Sequence, residues 1–285
     1  MIYLLLSILT STLILVIFRM FKKYNINTFQ AIVVNYAVAF TIGFSLFSND
    51  LKLDAQADHN WIYFTLIVGV LFISLFNLMA KSSQENGIGV TSVVVKMSLA
   101  IPVVAAILLY NESYDLLKII GVVLAILGVI LISYKKSNTE KNKNVIWLFV
   151  LFLGSGSLDL LLNYVEKNQL ESLSPGLFSG FAFGVAGTIG VLVLLVQLLK
   201  GKMNFELKNV WAGILLGVPN YFSIYFLIEA LRSPLLEDST TYAFNNVGIV
   251  LGSFFLGLLF FKEKLTPLKT TGLVVAVVAI FLLAF

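Results

Sequence analysis

Gly89-Val-Thr-Ser-Val-Val-Val-Lys96-Met-Ser-Leu-Ala-Ile-Pro102-Val-Val-Ala-Ala-Ile-Leu-Leu-Tyr-Asn-Glu112 is the stretch that decides the fold. Its apolar part, 89–110, is long enough to cross about 30 Å of hydrocarbon as a helix. A single cation interrupts it, and a glutamate closes it. A second apolar run follows at once, marked by Gly121-Val-Val-Leu-Ala-Ile-Leu-Gly128. The same plan returns later as Val250-Leu-Gly-Ser, then Phe261-Lys-Glu263-Lys, then Gly272-Leu-Val-Val-Ala. Glu112 and Glu263 are 151 residues apart, and so are Gly121 and Gly272.

Working outward, runs of the same kind fall at 2–18, 29–48, 61–80, 89–110, 116–134, 145–165, 175–199, 209–230, 235–261 and 266–285. Ten spans with a repeat of five put each half on an odd number of crossings. The second half therefore enters the membrane with opposite polarity. The expectation is an all-α membrane protein whose ten transmembrane helices form two inverted five-helix repeats, 1–134 and 145–285, joined by a cytoplasmic linker at 135–144. Inverted repeats of this kind are the architecture of many secondary transporters, with the substrate site near the midplane between them.

Composition agrees. Hydrophobic residues make up 59% and charged residues 12% of the 285, against roughly 45–50% and about 25% in soluble domains. The excess apolar surface must face lipid. The net charge of +4 lies in short loops, so it points to topology and not to nucleic acid. Loops after the odd-numbered spans hold Arg19, Lys22, Lys23, Lys81, Lys135, Lys136, Lys141, Lys143, Lys200, Lys202, Lys208, Lys262, Lys264 and Lys269. The even loops hold Lys52, Lys118, Lys167 and Arg232. This bias places the odd loops in the cytoplasm of an inner-membrane protein and both termini outside. The opening run lacks a preceding basic residue and a small-residue cleavage site, which reads as a retained helix.

Absences narrow the function. Without cysteine there are no disulfides, Cys-type zinc sites or thiol chemistry. The single histidine, His59, lies in a polar loop and is assigned no role. No phosphate-binding G-x-x-x-x-G-K-[ST] loop is present, so ATP does not drive the protein directly. No enzyme, metal or cofactor is expected. The expected partners are a small-molecule substrate and membrane lipids, with monomer and dimer both open.

The stretch from Val90 to Ser133, with Pro102, Asn111-Glu112 and the glycine-spaced fifth helix, resembles the drug/metabolite transporter superfamily, in its EamA-like ten-helix branch. The stretch from Tyr242 to Phe285 resembles the second copy of the same domain, except that Ser253 stands where the first copy has Pro102. The resemblance implies a carrier that exports amino acids, related metabolites or drugs. It also implies a central cavity lined by the first, third, fourth, sixth, eighth and ninth helices.

A few polar residues inside the spans are the substrate-site candidates. Lys96, roughly 10 Å deep by helical rise, costs about 2.5–3.5 kcal/mol to insert unless it faces water or a partner. It could bind a substrate carboxylate or phosphate, snorkel to the headgroups, or pair with Asp159. Asp159 in span six, with Asn163 one turn on, could line the cavity, couple to protons or serve as that partner. Asn245 and Asn246 sit side by side in span nine, about 100° apart on the helix, so one is expected to line the cavity while the other bonds a neighbour. Span eight carries Pro219, Tyr221 and Tyr225, with Tyr221 a candidate for stacking on substrate. Asn77 in span three and Asn35-Tyr36 in span two are weaker, since polar side chains also glue helices together. Glu112 and Glu263 read as caps or anchors for spans five and ten, and Glu229 as an interfacial partner of Arg232.

Overall fold

The computed structural model describes residues 1–47, 60–110, 116–134, 141–168, 174–202, 204–233 and 235–284; His59 and Glu112 lie outside them. All regular structure in these residues is helical. The elements are α1 (Ile2–Lys23), α2 (Thr28–Phe47), α3 (Trp61–Glu85), α4 (Ile88–Met97), α5 (Ala100–Tyr110), α6 (Leu116–Ser133), α7 (Lys141–Asn168), α8 (Pro175–Leu199), α9 (Leu207–Leu231), α10 (Asp238–Phe261) and α11 (Pro267–Ala284). Ten spans are long and apolar enough to cross a membrane, with α4 and α5 together making the fourth. Several helices overrun the hydrophobic stretches. α3 continues past Ala80 to Glu85 because nothing breaks it before Gly87, whose φ of 101° ends the helical path.

The fourth span is expected as one helix and is found as two. Pro102 has no N–H to give the Ser98 carbonyl one turn back, and its ring crowds that carbonyl. The backbone turns at Ser98-Leu99 instead. The Ile101 N–H takes the Ser98 carbonyl at 2.9 Å, an i→i−3 bond, and the Ser98 hydroxyl donates to the Val95 carbonyl at 2.6 Å. Proline does not always break a helix here, since Pro219 lies inside an uninterrupted α9.

The spans of the two halves meet along glycine seams. A Cβ added at Gly121 would touch Leu283, one at Gly128 would touch Ala276, and one at Gly272 would touch Ile132. α6 and α11 therefore run antiparallel in close contact. The Gly121–Leu283 and Gly272–Ile132 contacts exchange when the two members of each pair shift by 151 residues in opposite directions. This pattern is consistent with a two-fold relation between the halves. α2 lies parallel to α9, with Gly213 on Val34 and Gly217 on Val38.

The described loops after the first, third, seventh and ninth spans gather on one face, bound together by polar contacts. The Arg19 guanidinium donates to the Ser83 and Gln84 carbonyls at the end of α3, where a cation suits the helix dipole. Asn209 links the Asn27 N–H and the Gln30 side chain, and Gln30 also donates to the Asn204 carbonyl. Lys81 sits over the Trp147 ring at 4.8 Å. Glu263 accepts the Ile88 N–H at 2.9 Å. These contacts tie the first, third, seventh and ninth connections and the first turns of α7 together on one face.

Candidate functional site

The site grows from the break in the fourth span. Lys96 occupies the last turn of α4, just before the turn at Ser98-Leu99, so its charge lies by the negative end of a half-helix dipole. α7 crosses the break at Gly156, where an added Cβ would come within 2.7 Å of the Ser98 carbonyl and 2.4 Å of Ile101. Only glycine lets α7 pack so closely there. Asp159 lies three residues further along α7, on the same face, within electrostatic reach of Lys96 and beside the Ser98 hydroxyl. Both charged residues are half-buried. Direct ion pairs among the described residues join Lys208 to Glu206 and Arg232 to Glu229. Lys96 and Asp159 thus face each other across the break without closing into one.

α10 forms another side of this region. Gly89 packs on Phe254 and Gly257 on Ile88, so α4 and α10 are antiparallel. Seven residues inward on each helix, Lys96 and Val247 come level, roughly 10 Å from those contacts. Asn246 adjoins Val247 on the face that carries Val250 and Gly257 toward α4. Asn245 points to α1, the side where Gly248 meets Ile8 and Gly252 meets Thr12. Both asparagines are buried. The Asn245 Oδ1 finds no hydrogen-bond partner among the described residues, and neither does the Ser253 hydroxyl two turns away. Buried polar atoms are normally satisfied, so this wall keeps hydrogen-bonding capacity that no described residue uses.

The other candidates spread outward. Asn77 on α3 turns its amide back onto its own helix, donating to the Ile73 carbonyl at 2.7 Å. Asn163 is exposed, one turn beyond Asp159. Tyr221 is buried against Gly43, apart from the break. With Tyr225, Ser179 and Phe183 it lines a hollow between α8 and α9 toward the even-loop end, with room for about one water molecule.

Some readings are corrected. Glu263 does not cap the tenth span. It caps α4, a helix of the other half, and lies in a notch between Gly87 and Gly257. Asn35 and Tyr36 are not helix glue by hydrogen bonding, since their side-chain polar atoms have no partner among the described residues. The Tyr36 ring is held by Phe76 and Phe183. Gly156 was missed, because a glycine in an apolar run carries no sign of what it will touch. The Glu229–Arg232 pair forms at 3.1 Å as expected.

Comparison with known proteins agrees with this architecture. Residues 1–134 match the EamA-like transporter family. An uncharacterized protein of Haemophilus influenzae (strain ATCC 51907 / DSM 11121 / KW20 / Rd) is 31% identical over 288 residues, covering 98% of this chain and 96% of that protein. A solved crystal structure shares the fold, with a TM-score of 0.59 at 10% identity over 97% of this chain and 96% of its own. With its apolar helices, the match over the first five spans and a full-length relative, the chain belongs to the EamA-like transporter family of multi-pass membrane proteins.

Proposed function

We propose that the protein is a secondary transporter that exports a small polar metabolite carrying a carboxylate, such as an amino acid, by alternating access around the break in the fourth span. The carrying observation is Lys96 at the end of a half-helix, facing Asp159 without an ion pair. A cation held this way in an apolar setting is a ready anchor for a substrate carboxylate, and a charge-assisted hydrogen bond is the strong kind. Asp159 fits the substrate's ammonium group or a coupling proton. Asn245 and Asn246 offer the polar atoms on the opposite wall, and Asn77, Asn163 and Tyr221 lie along the outer path. The halves 1–134 and 145–285 act as the two rocking repeats. The basic odd-loop face is the cytoplasmic one in an inner membrane, with both termini outside.

The alternatives are a facilitator or channel-like pore, and a membrane scaffold with a dry core, for which a tight Lys96–Asp159 pair would speak; the two side chains form no direct ion pair. A resistance screen in an expressing host tests the proposal. Wild type is expected to protect against one toxic amino acid or analogue, and Lys96→Ala to lose that protection, with transport in liposomes down about tenfold to a hundredfold for one lost charged hydrogen bond. Transport that survives Lys96→Ala would remove the lysine from the pathway. Wild-type protein that moves nothing in liposomes and protects against nothing would overturn the carrier itself.

A further inference from the structure

α4 begins without a cap of its own. Its N-cap residue is Gly87, which has no side chain to accept a free N–H, and its φ of 101° suits glycine. The acceptor comes from 175 residues away, where the Glu263 Oε1 takes the Ile88 N–H at 2.9 Å. α10 ends at Phe261, and Lys262 adopts the left-handed conformation at φ 51°. That turn folds Glu263 back so that its own N–H bonds the Gly257 carbonyl at 3.0 Å. Added Cβ atoms at Gly87 and Gly257 would lie 2.6 and 2.8 Å from the carboxylate. Two glycines, one from each half, thus leave the space the carboxylate fills. A carboxylate at a helix N-terminus also meets the positive end of the dipole.

This contact has a distinct setting. It joins the second half to the half-helix that carries Lys96, and it lies on the face where the odd loops are bound together. The hollows lined by Tyr221 and by Met1, Ala230 and Thr241 both lie toward the other end.

We propose that Glu263 is a positioning residue that latches the odd-loop face shut: its carboxylate holds the start of α4 against the end of α10, and its release lets that end of the molecule open while the even-loop end closes. The latch rests on the carrier reading for its purpose, but its test needs no substrate. The chain has no cysteine, so single introduced thiols report access without background. Ser92→Cys sits one turn inside the latch and is buried; Ser179→Cys lines the hollow at the far end. Each is labelled with a water-soluble maleimide in purified full-length protein in detergent.

With native Glu263, Ser179→Cys is expected to label and Ser92→Cys to resist. Glu263→Ala is expected to raise Ser92→Cys labelling by about tenfold or more, the scale of one charged hydrogen bond, and to lower that of Ser179→Cys severalfold. Glu263→Gln keeps an oxygen for the Ile88 N–H and is expected to stay within about threefold of the parent. Gly257→Ala, which suits a helix and therefore folds, is expected to displace the carboxylate and act like Glu263→Ala. Unchanged Ser92→Cys labelling in both Glu263→Ala and Gly257→Ala overturns the latch. A rise at both thiols together also overturns it, since that is general loosening. Reciprocal labelling in a protein that moves no solute supports the latch and sinks the carrier; intact transport with unchanged labelling sinks the latch alone.

Discussion

The fourth and ninth spans occupy matching places in the two halves, yet one is broken and the other is whole. α4 and α5 meet at a turn four residues before Pro102, whereas α10 runs unbroken through Ser253. Around the break the protein places Lys96, Asp159 and the cleared face of Gly156. At the corresponding depth of α10 it places only neutral amides, Asn245 and Asn246, beside Val247. Of the two spans, the one whose backbone is interrupted is thus the one that carries a charge at this depth. An interrupted helix offers a dipole end and free carbonyls within the membrane, which an intact one does not. The difference separates the work: the broken span offers charge, and the intact one a fixed wall of hydrogen-bonding groups.

Exchanging the features of the two spans tests that division. Ser253→Pro has the largest expected effect. It removes the bond to the Ile249 carbonyl in a buried helix that has no turn to receive the break, at about 3 kcal/mol or more. The yield of folded protein and its melting temperature should drop sharply; a normally folded variant would show that α10 tolerates a break and that the two spans are interchangeable. Pro102→Ser comes next. It lets α4 and α5 join, so thermal stability should rise while transport falls about tenfold, because Lys96 no longer lies at a helix end. Full transport from that variant would make the break a passive scar. Asn245→Ala is the mildest. It deletes a buried oxygen without a partner, so stability should hold or rise by less than about 1 kcal/mol, while transport slows about threefold. A clear loss of stability would instead reveal a structural role for the amide.

How far the sequence could be read depended on the range of the forces involved. The spans were legible because burial in lipid demands long apolar runs, and each run carries that signal alone. The basic residues between spans were legible because charge is kept out of lipid, and the contacts of Arg19, Asn27, Lys81, Asn209 and Glu263 lie on one face. Lys96 and Asp159 stood out as charges in apolar surroundings, and the fold brings them to one place. The partners of Glu263 were not legible. Its acceptor role depends on Ile88, 175 residues earlier, and on two glycines whose meaning is the absence of atoms. Pro102 was visible as a mismatch between repeats, but whether a proline breaks a helix depends on what packs beside it. Pro219, buried in an intact α9, shows that the residue alone does not decide.

The seam between α6 and α11 has an energetic consequence. Its contacts come at positions 151 residues apart, yet Gly121 faces the Leu283 side chain where Gly272 faces the Ile132 backbone, so one end rests on a side chain that can turn aside and the other on backbone that cannot. If the halves rock about this seam, the leucine end has room to give and the backbone end does not, so the seam itself favours one tilt over the other. Further preference for a resting tilt would come from other places where the halves differ, among them Pro102, Lys96 and the two-glycine notch around Glu263. Changes at these positions would then shift the balance between the two tilts.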